Sequence, residues 1–329
     1  MVEISLAPDG TVFECAEGDT ILRAALRAGL GMAYSCNVGS CGNCRFEVIE
    51  GSVTHLRDDP PAWSERDLKR NRFMGCQASP NGPCKIKFRA DPKFAVMPHP
   101  TRRTGTLMSA VPITHDITEF TFEMVGDDMF HPGQYALISV EGIAGGRPYS
   151  FSNLPGTGQW QFQIRRVPGG ALTGHLFDIA QPGDTLDFDG PYGTAYLDTE
   201  CPRDIVLMAG GSGLSPMVSI ARGAVAAGLL EDRKMHIFYG CRTQDDMFDP
   251  ALLTGLHPAI TLTTVLSEPD PAWTGPGGFV HDIVHDTMGE ALKDHEIYFA
   301  GPAVMSAAIQ KMAHEAGTPM TQLHFDEFY

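Results

Sequence analysis

The sequence predicts a multidomain chain of three successive modules: a small α+β unit, an antiparallel β-barrel, and an α/β unit built on a parallel sheet. Three observations predict it. Six of the eight cysteines stand at or before residue 84. Five candidate strands, separated by Gly and Pro turns, run from Thr106 to Asp189. From Asp204 onward, apolar strands alternate with helical stretches, the pattern of a doubly wound sheet. Domains hold roughly 100 to 200 residues, so 329 residues accommodate two or three of them.

In the first module, Glu3–Ala7 and Thr11–Cys15 read as a strand pair around the turn Pro8-Asp9-Gly10. Asp19 is expected to cap a helix through Ala28 that Gly29 stops, with Ile21, Leu22, Ala25 and Leu26 on one face. A Gly-, Ser- and Asn-rich loop follows from Cys36 to Cys44, and Arg45–Glu50 and Lys85–Ala90 read as further strands. Three prolines between Asp91 and Pro100 mark a linker, so the expected units are 1–92, a linker at 93–101, 102–200 and 201–329. The barrel strands are Thr106–Ala110, Glu119–Met124, Tyr135–Glu141, Trp160–Arg166 and Thr185–Asp189. The parallel strands are Ile205–Ala209, Met235–Tyr239, Ile260–Leu266, Glu296–Ala300 and Gln322–Phe325.

Charge narrows the partners. The formal net charge is −16, which argues against nucleic acid or an anionic membrane as a partner. Residues 1–99 carry 12 basic and 12 acidic side chains, so the excess belongs to residues 100–329, with 12 and 28. The apolar runs at Leu30–Tyr34 and Ile205–Ala209 are far shorter than the roughly 18 residues of a spanning helix. Met1–Pro8 lacks the features of a signal peptide, and a cytoplasmic protein is expected.

Cytosolic cysteines are not expected to form structural disulfides, so their crowding points to a metal site. Cys36-x4-Cys41-x2-Cys44, with Cys76 after 31 intervening residues, is the spacing of a plant-type [2Fe–2S] centre. Gly39, Ser40, Gly42 and Asn43 are small enough for the backbone to curl around inorganic sulfurs and aim its N–H groups at them. A structural zinc site is the rival, although it usually pairs two short knuckles. Cys15 and Cys84 are assigned to the core, and Cys201 and Cys241 have no partner legible in the sequence.

The run Tyr34-Ser35-Cys36-Asn37-Val38-Gly39-Ser40-Cys41-Gly42-Asn43-Cys44 resembles the cluster loop of plant-type ferredoxins, and the rest of the chain resembles a ferredoxin–NAD(P) reductase. The order is similar to that of the reductase components of multicomponent aromatic-ring oxygenases. The resemblance implies a β-grasp ferredoxin module, then a flavin domain, then a nicotinamide domain.

Arg147-Pro148-Tyr149-Ser150-Phe151-Ser152-Asn153 matches the R-x-Y-S-x-x-N/S flavin motif of that family. It offers a cation for a pyrophosphate, an aromatic face for isoalloxazine, and the Ser150 hydroxyl for the reactive N5. Gly169-Gly170-Ala171-Leu172-Thr173 leads into a helix expected at Gly174–Ala180, a Gly-rich turn suited to an anion; in the family it binds the FAD pyrophosphate. Gly210-Gly211-Ser212-Gly213-Leu214-Ser215-Pro216, between a strand and a helix expected at Met217–Ala227, resembles the family's nucleotide loop. Arg242 ends the next strand, and Gly301, Pro302 and Met305 follow a later one. Many relatives carry Cys where this chain has Ala300, so a role for that thiol is absent.

NADH is expected over NADPH, because Glu268 would repel a 2′-phosphate and could accept a bond from the ribose hydroxyl; Arg242 is the counter-argument. The resemblance gives the C-terminal Tyr329, with Phe328 as substitute, the role of shielding the flavin until nicotinamide displaces it. His281 and His285 are assigned to a solvated helix face. The expected activity is NADH-dependent electron transfer through FAD and the cluster to a terminal Rieske dioxygenase, or to its ferredoxin. A di-iron monooxygenase client and a redox-sensing module are the alternatives. A monomer is expected.

Overall fold

The structure, a computed structural model, describes residues 1–58 and 60–327. Phe328 and Tyr329 therefore lie outside the described residues, together with their expected roles.

The first module contains β1 (Val2–Leu6), β2 (Val12–Cys15), α1 (Ile21–Arg27), β3 (Arg45–Glu50), β4 (Val53–His55), α2 (Glu65–Lys69), β5 (Arg72–Met74), β6 (Ala78–Pro80) and β7 (Cys84–Lys87). Five strands form a mixed sheet in the order β2-β1-β7-β3-β5, and β4 pairs with β6 apart from it. Thr20, not Asp19, caps α1, its side chain accepting from the Arg23 N–H. Asp19 instead pairs with Arg27 and Arg102, so its carboxylate is committed to ion pairs. The α1 face runs as expected: Ile21, Leu22, Ala25 and Leu26 are fully buried, each large side chain worth about 1.5–3 kcal/mol.

The second module contains β8 (Thr101–Pro112), β9 (Ile117–Met124), β10 (Tyr135–Ser139), β11 (Arg147–Ser150), β12 (Gln159–Arg165), α3 (Ala171–Asp178) and β13 (Thr185–Tyr192). Its sheet runs β11-β10-β13-β8-β9-β12, and a bridge between Phe151 and Phe162 brings the two edges together, so the sheet nearly closes into a barrel. Phe120, Phe122, Phe151, Trp160, Phe162 and Phe188 fill it. The helix starts three residues before the expected Gly174.

The third module contains β14 (Ile205–Gly210), α4 (Leu214–Ala226), β15 (Met235–Cys241), α5 (Ala251–Thr254), β16 (Ile260–Leu266), α6 (Val280–Met288), β17 (Glu296–Ala300), α7 (Ala303–Glu315) and β18 (Leu323–His324). The strands are parallel, in the order β16-β15-β14-β17-β18. The chain winds one way from β14 and then crosses to β17, so the strand order reverses between them and opens a crevice beyond Gly210 and Ala300. No helix among the described residues is long and apolar enough to cross a membrane.

The modules are packed together. Tyr135, Leu137 and Tyr192 of the barrel belong to the hydrophobic core of the first module. Arg27 of α1 donates to both carboxylate oxygens of Asp189 at 2.8 and 2.7 Å. The segment between the two is seated as well: Val96 is buried, and Gln134 donates to the Met97 carbonyl at 3.3 Å.

Candidate functional site

The cysteine loop is built to hold thiolates. Cys36, Cys44 and Cys76 are buried and Cys41 is half-buried. The amides of Val38, Ser40 and Cys41 all point at Cys36 Sγ, at 3.4, 3.3 and 3.4 Å, and the Cys76 amide points at Cys44 Sγ. Gly39 and Gly42 make the curl possible with φ of +88° and +82°. Arg45 braces the loop from outside, donating to the Gly42 carbonyl at 2.7 Å and to the Ala62 carbonyl, and pairing with Asp67.

The four thiols form two pairs. A hydrogen bond from Cys41 and the loop amides hold the Cys36 thiol below its ordinary range despite burial, while its partner Cys41 is pushed up. Cys76 likewise lowers Cys44 and is itself raised. Among the described residues, the one group of three or more potential ligands within 4.8 Å of one another is His115, Asp116 and Asp246, so no three of these thiols gather that closely. A lone zinc at about 2.3 Å from each sulfur needs all four within roughly 4 Å. Two separated pairs fit one iron each, so the donor set matches [2Fe–2S] better than zinc.

The other expected ligands converge elsewhere. A cavity of about 620 Å³ opens at the crevice beyond β14 and β17. Pro148, Tyr149 and Ser150 line it from the barrel. Gly210, Gly211, Gly213, Pro216, Arg242, Gly301, Pro302 and Met305 line it from the parallel sheet. A Cβ on Gly213 would stand 2.1 Å from the Ala300 carbonyl oxygen, so only glycine lets the loop approach β17 this closely. The buried Gln163 Oε1, also on the cavity wall, has no partner.

Six expected residues do not line this cavity. Arg147 is exposed and donates to the carbonyls of Ala144, Gly145 and Gly146. The Asn153 side chain is spent on backbone, donating to Leu154 and Gln159 and accepting from Gln161. Thr173 turns inward to Val167 and Gly170, beside an N-terminus of α3 that no side chain caps. Gly169 and Gly170 form that turn and do not line the cavity. Glu268 is exposed, its amide donating to the Arg242 carbonyl at 2.8 Å, so the two specificity candidates are neighbours.

Sequence reasoning passed over Ser215, whose hydroxyl donates to the Ser150 carbonyl at 2.7 Å and accepts from the Gln163 amide at 3.1 Å. It is the second residue of α4, directly after the glycine loop and before Pro216, and that place in the motif was the available signal. His281, expected on a solvated face, lines the cavity and stacks on Phe279. Cys201 does have partners: its thiol donates to Glu296, which also pairs with Arg203.

Three family models match in chain order: a 2Fe-2S iron-sulfur cluster binding domain over residues 4–81, an oxidoreductase FAD-binding domain over 104–196, and an oxidoreductase NAD-binding domain over 207–311. The chain is 33% identical to a ferredoxin–NAD(P)+ reductase of Metapseudomonas resinovorans, covering 96% of each. It is 36% identical to the ferredoxin–NAD+ reductase component of an alkene monooxygenase system of Xanthobacter autotrophicus, covering 97% of this chain and 98% of that one. The ferredoxin reductase in carbazole 1,9a-dioxygenase superposes with a TM-score of 0.92 at 30% identity, over 100% of this chain and 98% of that one. The chain belongs to the ferredoxin–NAD(P)+ reductase components of multicomponent oxygenase systems, electron-transfer oxidoreductases with 2Fe–2S, FAD-binding and NAD-binding domains.

Proposed function

We propose that this reductase draws electrons from NADH at the crevice beyond β14 and β17 and delivers them singly, from a cluster held by Cys36, Cys41, Cys44 and Cys76, to the Rieske centre of an aromatic-ring dioxygenase or to its small ferredoxin. The observation that carries the reading is the shared cavity, where the barrel strand bearing Tyr149 and Ser150 meets three loop ends of the parallel sheet. Bound FAD would supply the exchange between a two-electron donor and a one-electron acceptor.

The residues divide the work. Gly210, Gly211 and Gly213 leave the backbone of the β14 loop open to a nicotinamide nucleotide's phosphates, and the loop runs into the N-terminus of α4. Tyr149 offers an aromatic face and Ser150 a hydroxyl for the flavin ring and its N5. Ser215 fixes the Ser150 backbone to the nucleotide loop, so the donor and flavin sites keep one spacing. Arg147, once released from its own loop carbonyls, would reach a pyrophosphate. Glu268 beside Arg242 favours NADH. Hydride transfer needs no general base, and none is assigned.

Reconstitution tests the client. NADH-dependent turnover is expected with a purified Rieske dioxygenase, with or without its ferredoxin. Turnover only with a di-iron hydroxylase would move the client to the monooxygenase class. Fresh protein without flavin and [2Fe–2S] absorption bands would sink the whole reading.

A further inference from the structure

Ser35 is the point where the three modules meet. It precedes Cys36 directly, and Tyr135 of the barrel donates its hydroxyl proton to the Ser35 carbonyl at 2.6 Å. From the third module, the Glu327 amide donates to the Ser35 hydroxyl at 2.8 Å. Tyr135 is fully buried and is the direct cross-strand partner of Ser150. Opposed residues of an antiparallel pair project to the same face, with Cβ atoms about 5 Å apart. One short sequence of contacts therefore leads from the N5 residue to the peptide that carries a cluster ligand: Ser150, Tyr135, the Ser35 carbonyl, Cys36.

The surroundings bury that contact. The Tyr135 ring lies over Gly193, where a Cβ would stand 3.1 Å from it, and Gly193 donates its amide to the Tyr34 hydroxyl at 2.8 Å. Tyr192 packs against both rings, with centroids 5.9 Å from Tyr135 and 6.3 Å from Tyr34. Electrons tunnel more readily through bonds and short hydrogen bonds than across van der Waals gaps.

We propose that Tyr135 is the positioning residue for internal electron transfer, and that its hydrogen bond to the Ser35 carbonyl is the bridge by which single electrons pass from the flavin site to the cluster site. The inference rests on the flavin and cluster assignments above. One electron would cross at a time, from flavin held beside Ser150 to a cluster held at Cys36, oxidising the one and reducing the other by one each, and Tyr135 would be unchanged.

Stopped-flow reduction of the full-length holoenzyme by NADH separates the steps, since flavin and cluster bands are read independently. In Tyr135→Phe, flavin reduction should keep its wild-type rate while cluster reduction slows several-fold, because a through-space gap replaces the hydrogen bond. Direct reduction of the cluster by dithionite and its EPR spectrum should not change. Tyr192→Phe, which removes a hydroxyl from the same seam but not from the route, should transfer at the wild-type rate. Tyr135→His, which returns a ring donor, should recover part of the loss and serves as the second variant. An unchanged internal rate in Tyr135→Phe, or equal slowing in Tyr192→Phe, overturns the proposal. So does slowing that comes with an altered EPR spectrum or slower dithionite reduction, which would make Tyr135 merely structural. Wild-type protein whose cluster stays oxidised after its flavin is reduced would instead overturn the electron-transfer reading itself.

Discussion

Arg27 and Asp189, 162 residues apart, form a two-bond ion pair that joins the helix beneath the cluster loop to a barrel strand. Arg27 also reaches Asp19 at 3.0 Å and the Pro100 carbonyl at 3.1 Å. Removing one member of a buried pair leaves the other charge without compensation. Arg27→Ala is expected to cost about 3 kcal/mol in urea unfolding, whereas the double variant Arg27→Met with Asp189→Leu should recover most of it. An Arg27→Ala protein as stable as wild type would show that this seam carries no load.

The same pair sets an acid limit. Burial acts to raise the Asp189 carboxyl, but hydrogen bonds and charge from Arg27 outweigh it and hold the group below the usual range. Its contribution is therefore complete above the unfolded value of about 3.9 and is lost as pH falls through the lower folded value. Unfolding free energies measured from pH 5 to pH 2 should drop more steeply in wild type than in the Arg27→Met, Asp189→Leu variant.

Asp326 has the opposite sign. Burial pushes its carboxyl up to about 7, against the lowering effect of the Thr194 and Ala195 amides that it accepts from. The stability linked to its protonated form is complete below about pH 3.9 and is lost as pH rises through 7. Asp326→Asn should flatten the decline in unfolding free energy between pH 5 and pH 8. An unchanged slope would place the titrating group elsewhere.

Gly213 tests the nucleotide crevice. Alanine there would meet the Ala300 carbonyl, a backbone atom with little room to give. Gly213→Ala should lose about 1–3 kcal/mol of stability and weaken NADH binding, measured by calorimetry. Gly210→Ala meets instead the flexible side chain of Met305 and should be milder on both counts.

Coenzyme choice tests Glu268. NADH should have the higher kcat/KM, and Glu268→Arg should shift the ratio toward NADPH by roughly fivefold, the scale of one exposed charge contact. Wild-type kcat/KM for NADPH equal to or above that for NADH would overturn the assignment.

Much of this was legible in the sequence because backbone demands and side-chain chemistry coincide there. The cluster loop needs small residues as well as thiols, and the β14 turn needs glycine where β17 comes close, so both motifs announce themselves. Strand ends were less legible. Thr101–Pro112 runs well beyond the expected Thr106–Ala110 because pairing with β9 and β13 extends it past the alternating segment. The cap of α1 went to Thr20 because Asp19 had a stronger claim from two arginines, one of them 83 positions away. No local pattern reports such long-range partners. For the same reason the contacts of the Tyr135 hydroxyl and Ser215 emerge only when the modules are placed together, and the Cys201–Glu296 contact only when the third module is folded.

The shared core beneath Tyr135, Leu137 and Tyr192 has a consequence for how the client is served. A cluster module that borrows part of its interior from its neighbour has no freedom to travel as a courier. On the proposed function, the client would come to it at the half-exposed edge around Cys41 and leave again with a single electron. Each NADH oxidised would then require two such visits, and turnover would depend in part on how quickly a newly reduced client vacates that edge.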